Sequence, residues 1–206
     1  MKIIRISVLT LLLALGSLIV FAGSPLAQTR FFSACYMNEK VQYAEEKGIL
    51  DGTLASYLID PAVPVDQKAA VINALTWGKN GDNNIVAYRM FLARKYGKSH
   101  ESLNTSELTG DESFCLGYML MMNDPKDLSK AIALLETAKT SNPHSFTAGI
   151  FHSIAVAQNF INNGKLCEGW SVCNSLISDS SLNHDLNAEA EGILIAEIAK
   201  YKENCR

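Results

Sequence analysis

The chain has 206 residues, of which 48% are hydrophobic and 19% charged, and its formal net charge is −3. Because nearly half of its residues are apolar, it is not a disordered chain, and its length suits one compact domain or a short repeat array. Acidic residues outnumber basic ones, so the chain lacks the excess of positive charge that nucleic-acid binding needs, and we expect no nucleic-acid partner.

The first predicted element is a cleavable export signal over residues 1–27. Lys2 and Arg5 form a basic start, an apolar run follows them, and a short segment of small residues closes the signal. Cleavage fits after Ala27 and after Ala22, and the sequence leaves this choice open. The alternative is an uncleaved membrane anchor, which is disfavoured because the run is at the short edge of the ~17–25 residues that a span needs.

Cleavage of the signal leaves residues 28–206 as the mature domain, with 16 basic and 21 acidic residues and a net charge of −5. We expect this domain in the periplasm or outside the cell, with no stable membrane anchor. A polar loop over residues 98–110 divides it into two possible sub-halves, residues 28–97 and residues 111–206.

Apolar residues at spacings of three and four predict helices along the whole domain, and no segment keeps the two-residue alternation of a half-buried strand. The predicted fold class is therefore all-α. The predicted helices cover residues 28–47, 53–59, 66–77, 84–96, 145–161, 165–177 and 187–204, with a helical hairpin between Phe114 and Pro143. We expect residues 66–97 to form a second hairpin and the last two helices to pack as an antiparallel pair.

The central hairpin carries a spaced pattern of small and large residues. Its positions are Leu116, Gly117, Ala131, Leu135, Ala138 and Pro143. This pattern resembles tetratricopeptide and Sel1-like helical repeats, although Leu120 stands where the first helix usually has an aromatic residue. The resemblance implies stacked antiparallel helical hairpins that bind a protein partner, and the alternative is a generic hairpin within an irregular helical bundle.

Five cysteines follow the predicted signal, and an exported protein meets an oxidising compartment. Cys167 and Cys173 cannot bridge within one helix, since six residues at ~1.5 Å rise separate their Cα atoms by about 9 Å. Antiparallel packing of the last two helices would bring Cys205 beside Cys167, so we predict a Cys167–Cys205 disulfide. We also predict a Cys35–Cys115 disulfide, with Cys173 as a buried free thiol on an apolar helix face.

No catalytic or metal-binding pattern accompanies these helices. The cysteines lack a Cys-x-x-Cys spacing, and His144, His152 and His184 do not cluster with them, so we predict no metal and no cofactor. Residues 97–99 match the end of a phosphate loop, but Leu92 stands where an earlier glycine is required. A helix C-cap is the favoured interpretation of that segment.

We therefore expect an exported, non-enzymatic helical protein-binding module that holds a protein or peptide partner on a groove or concave face. The candidate contact residues lie on the long loop and on the hairpin edges. They are Tyr88, Arg89, Tyr96, His100 and Tyr118.

Two other functions remain open. The segment from Phe114 to Tyr118 is similar to the Cys-x-Gly-Tyr segment of small helical periplasmic immunity proteins that protect against type VI secreted amidases. That resemblance implies an inhibitor of an exported toxic hydrolase, although the glycine expected after the tyrosine is missing. The third function is an enzyme whose polar residues converge only in three dimensions, which a cleft of acidic or histidine side chains with shifted pKa values would favour.

Overall fold

The computed structural model describes residues 25–77 and 80–205, so the predicted export signal lies outside the described residues except for its last three. The described residues form nine α-helices and four short 3-10 helices, with no strand beyond one isolated bridge between Ser145 and Asn183. The all-α prediction is confirmed. The α-helices are α1 (Glu39–Lys47), α2 (Gly52–Ile59), α3 (Val65–Thr76), α4 (Gly81–Lys95), α5 (Gly110–Asn123), α6 (Ser129–Ser141), α7 (Phe146–Asn162), α8 (Leu166–Ile177) and α9 (Ala188–Ala199). The 3-10 helices are Leu26–Gln28, Phe32–Cys35, Thr105–Glu107 and Lys202–Asn204.

The prediction of a single helix over residues 28–47 is wrong for the first half of that range. There the chain forms two separate 3-10 turns, and α1 begins only at Glu39. The Asn38 side chain caps α1 by accepting a hydrogen bond from the Lys40 N–H at 2.8 Å, which favours a helix start at this point. Gly48 ends α1 in the left-handed conformation, with φ of 60°.

Helix α5 is the central helix of the bundle. It packs most extensively against α6, and also against α2, α3, α4 and α7. Nearly every residue from Glu112 to Met122 is buried, because this helix is apolar around most of its circumference. The described residues therefore form an irregular helical bundle around one central helix.

The α5–α6 hairpin depends on a close approach of the two helices at Gly117. A Cβ atom added to Gly117 would lie 3.0 Å from the Leu134 Cβ and 3.2 Å from the Ala131 carbonyl oxygen. Those distances are shorter than normal packing contacts, so a glycine is needed at this separation of the helices. Ala131 and Ala138 are both buried, as the sequence pattern predicts for positions of close helix contact.

Two other expected helix pairings are wrong. Helices α3 and α4 both pack against α5 and have little contact with each other, so residues 66–97 do not form a hairpin. Helix α8 packs mainly on α7, across the turn at Gly164, rather than on α9. Turn-forming residues mark where a helix ends, whereas the burial of apolar faces decides which helices pair.

One apolar core runs through the described residues, from Leu26 to Ile198. It includes Leu103 and Leu108 of the loop over residues 98–110. Despite its polar composition, this loop is therefore partly buried, and the core is continuous across it.

Asn73 of α3 joins three parts of this core through one buried side chain. Its Oδ1 accepts hydrogen bonds from the backbone N–H groups of Phe31 at 3.0 Å and Phe32 at 3.1 Å. Its Nδ2 donates to the Thr29 carbonyl oxygen at 3.0 Å and to the Tyr118 hydroxyl oxygen at 2.8 Å. The N-terminal segment is thus held against α3 and α5 by a buried polar network.

The predicted Cys167–Cys205 disulfide is present, with the two Cα atoms 4.8 Å apart. The 3-10 helix Lys202–Asn204 packs against α8 and so returns the end of the chain to Cys167. This return path differs from the expected α8–α9 pairing, but it brings the same two cysteines together.

The predicted Cys35–Cys115 disulfide is wrong, because both residues are buried free thiols with different neighbours. Cys35 lies in a 3-10 turn that packs against α3 and α9, whereas the Cys115 thiol is 3.8 Å from the Leu58 carbonyl oxygen of α2. Burial raises the pKa of Cys35 to about 11 and the pKa values of Cys115 and Cys173 to about 12. The three thiols are therefore protonated and poorly reactive at neutral pH.

Candidate functional site

A groove opens between α4, α5, α6 and the 3-10 turn that precedes α5, with a volume of about 500 Å³. We name it the Arg89 groove. The residues that line it are Arg89, Thr105, Ser106, Leu116, Leu120, Lys130, Ala133, Leu134 and Thr137. Its volume is in the range of ligand-binding clefts, about 300–1,000 Å³.

The floor of the Arg89 groove is apolar. Leu116 and Leu120 lie one turn apart on α5, and Ala133 and Leu134 come from α6. Leu134 is also the neighbour of Gly117, so the close packing that forms the hairpin shapes this floor. Leu116 and Leu134 are buried, but Leu120 is partly exposed and Ala133 is exposed, which leaves apolar surface for a ligand.

The rim of the groove carries two positive charges, Arg89 of α4 and Lys130 of α6. Within residues 25–77 and 80–205, neither cation has a carboxylate oxygen within the 4.0 Å of an ion pair. The hydroxyl groups of Thr105, Ser106 and Thr137 supply further hydrogen-bonding positions. An apolar floor bordered by two cations that form no ion pair is complementary to a segment that carries both apolar and acidic side chains.

A second cleft, which we name the Lys68 cleft, lies at the N-terminus of α5 and has a volume of about 340 Å³. Its lining residues are Ile59, Pro61, Lys68, Lys95, Thr109, Gly110, Asp111, Ser141 and Asn142. The Lys68 side chain is 0% exposed, and its Nζ donates to the Asp111 Oδ2 at 2.6 Å. The Lys95 Nζ donates to the Glu112 Oε1 at 2.7 Å. Both cations at this cleft therefore have an anionic partner in the chain itself.

Glu112 connects the Lys68 cleft to the start of α5. Thr109 and Glu112 form a reciprocal capping box, and the Tyr96 hydroxyl donates to Glu112 at 2.6 Å. Burial acts to raise the pKa of Glu112, but hydrogen bonds from Lys95, Tyr96 and the Thr109 N–H outweigh it and lower that pKa below its ordinary value. Burial and the bond to Glu112 raise the pKa of Tyr96 to about 12. These groups hold one another in place and stabilise the helix start.

The structure places only one of the five predicted contact residues in the Arg89 groove, and that residue is Arg89 itself. The prediction that Tyr88 and Tyr118 contact a partner is wrong. These residues are 0% and 1% exposed and lie on the helix faces that form the core. Tyr96 is partly buried beside the Lys68 cleft. His100 lines a separate surface cavity of about 410 Å³ beside α4.

The segment from Phe114 to Tyr118 also lies in the core. The ring centroid of Phe151 is 5.4 Å from that of Phe114 and 4.5 Å from that of Tyr118. The residues that carry the resemblance to immunity proteins therefore pack the bundle and offer no exposed surface to a hydrolase.

Sequence patterns miss most of the Arg89 groove. Lys130, Ala133 and Thr137 recur on α6 at spacings of three and four, so helical periodicity could have placed them on one face. That face is polar, however, and gives no sign that it borders a cleft. Thr105 and Ser106 carry no periodic signal at all, because only tertiary packing brings their turn to α5 and α6.

Comparison of the chain with protein-family models, with curated proteins and with solved structures found no match. In the part of the chain that the structure describes, no helix has the length and apolar character needed to cross a membrane. The same residues contain no group of three or more His, Cys, Asp or Glu side chains placed to hold a metal ion.

Proposed function

We propose that this protein is an exported protein-binding module whose Arg89 groove holds a partner segment with apolar and acidic side chains. The observation that carries the proposal is the combination, in one groove, of an apolar floor with two rim cations that lack ion-pair partners among the described residues. The Lys68 cleft lacks this combination, because its cations are already paired.

Each part of the Arg89 groove has a role in this binding. An apolar side chain of the partner packs on Leu116 and Leu120, which removes exposed apolar surface from water. A carboxylate of the partner pairs with Arg89, whose planar guanidinium can bind both of its oxygens, and a second acidic group pairs with Lys130. The Thr137 hydroxyl already donates to the Ala133 carbonyl oxygen, so it can accept a hydrogen bond from a backbone N–H of the partner.

Two features support export. The Cys167–Cys205 disulfide is a kind of bond that persists in oxidising compartments outside the cytosol. The basic start and apolar run of residues 1–27 are typical of an export signal. We therefore place the binding module in the periplasm or outside the cell.

A peptide selection tests the proposed binding. A phage-displayed library of random peptides is selected on the purified, oxidised protein, and the enriched peptides are synthesised with a fluorophore for anisotropy measurements. We expect the enriched peptides to share apolar residues and Asp or Glu. Arg89→Glu and Lys130→Glu should each weaken binding at least about tenfold, or ~1.4 kcal/mol, and added salt should weaken binding to the unchanged protein.

Matched variants separate the groove from general surface charge. Arg94→Glu makes the same charge change as Arg89→Glu at an exposed position of α4 outside the groove, and Lys126→Glu does so for Lys130→Glu. Both control variants should bind the selected peptides as tightly as the unchanged protein. The proposal is wrong if no peptide is enriched, or if the groove variants and their controls lose affinity equally.

A further inference from the structure

The described chain begins with a short segment that is built into the core. We define the N-terminal plug as residues 25–29, which contain the 3-10 helix Leu26–Gln28. The side chains of Leu26 and Ala27 are 3% and 2% exposed, and both belong to the continuous apolar core. The plug packs against α7 and α5, so it occupies space inside the bundle.

Buried polar groups of the bundle also bind the plug. The Ala27 N–H donates to the Gln158 Oε1 of α7 at 3.1 Å, and the Gln158 side chain is itself buried. The Gln28 side chain donates to the Met122 carbonyl oxygen of α5 at 2.7 Å. A buried acceptor that loses its donor is costly, so Gln158 depends on the presence of Ala27.

The two cleavage positions that the sequence leaves open have different consequences for this plug. Cleavage after Ala27 would remove Leu26 and Ala27 from the core and leave the Gln158 acceptor without its donor. It would also remove the Pro25 carbonyl oxygen, which accepts a hydrogen bond from the Gln28 N–H at 2.8 Å, and put a charged amino terminus at a half-buried position. Cleavage after Ala22 keeps every one of these contacts.

We propose that export processing cuts the chain after Ala22, so that the mature protein begins at Gly23 and keeps the N-terminal plug as part of its core. This inference rests on the proposed export of the protein. It changes the mature domain from residues 28–206 to residues 23–206. The plug then acts as a built-in segment of the bundle and is not part of the discarded signal.

Processing is tested by expressing the full chain in a bacterial host and measuring the intact mass of the protein from the exported fraction. A mature chain that starts at Gly23 supports the inference. A chain that starts at Gln28 overturns it and leaves export standing. An uncut chain retained in the membrane or cytosol overturns both the inference and the proposed export, so the two failures are distinguishable.

A second measurement tests the physical reason without relying on the host. Two purified chains, starting at Gly23 and at Gln28, are compared by thermal unfolding, and the shorter chain should melt at least about 10 °C lower. Gln158→Ala should lower the melting temperature of the longer chain more than that of the shorter one, since the shorter chain already lacks the donor. Equal melting temperatures for the two unsubstituted chains would show that the plug contributes nothing to the fold.

Discussion

Replacement of Asn73 by leucine removes the polar centre of the core while keeping a side chain of similar size. The Asn73 side chain accepts two backbone hydrogen bonds, from Phe31 and Phe32, and donates two, to Thr29 and Tyr118. In Asn73→Leu both backbone N–H groups remain buried without an acceptor, and each such group costs about 1–3 kcal/mol. We expect a loss of about 4 kcal/mol in the free energy of unfolding, which corresponds to a melting temperature about 8–16 °C lower for a domain of this size.

Urea unfolding followed by circular dichroism measures this free energy directly. Asn159→Ala is the matched control, because Asn159 is an exposed residue of helix α7 and its replacement should change stability by less than about 0.5 kcal/mol. If Asn73→Leu unfolds within about 1 kcal/mol of the unchanged protein, the buried network does not hold the N-terminal segment, and the reasoning about it is refuted.

The hydroxyl of Tyr88 is buried beside the weakly hydrogen-bonding Cys115 thiol and has no nitrogen or oxygen partner in the described part of the chain, so Tyr88→Phe should change stability little, whereas Tyr118→Phe should lower it by about 1 kcal/mol; the opposite order in urea unfolding would contradict this. Because the pKa of Glu112 is lowered from its ordinary value of 4.5, its stabilising effect is present above about pH 4.5 and is lost as the pH falls through the folded-state pKa. Glu112→Gln should therefore be less stable than the unchanged protein at pH 6, and the difference should shrink as the pH is lowered below 4.5; a constant difference would count against the explanation. Thiol titration of the unreduced protein should find three reactive thiols after unfolding and almost none before it, whereas a single thiol after unfolding would indicate a second disulfide. Cys205→Ser removes the disulfide, which joins two residues that are 38 positions apart in the chain, and should lower the free energy of unfolding by about 4 kcal/mol. An unchanged melting temperature would show that the disulfide is not stabilising.

The helices were largely predictable from local patterns, but the candidate site was not. Apolar spacing located the α5–α6 hairpin and its close-packed residues Gly117 and Ala131. The same spacing gave no warning that Tyr88 is buried, because it does not state which face of a helix meets the core and which meets water. Tyr118 belongs to a helix that is apolar around most of its circumference, and that pattern does predict its burial. Arg89 was predicted as a contact residue, yet the cleft around it depends on how three successive helices and the turn between the first two pack together, which local spacing does not state.

The sequence by itself determined that the protein is all-α, where most of its helices begin and end, and that Cys167 cannot pair with Cys173 within one helix. These properties depend on interactions within a few residues along the chain, such as capping, turn formation and helical rise. Only the tertiary structure decided that α5 is central, that α8 packs on α7, and that Cys35 and Cys115 lie apart. Only it placed Leu26 and Ala27 in the core and assembled the Arg89 groove. The physical reason is that many pairings of apolar helix faces satisfy the same local pattern, and the choice among them is made by how well whole faces pack together.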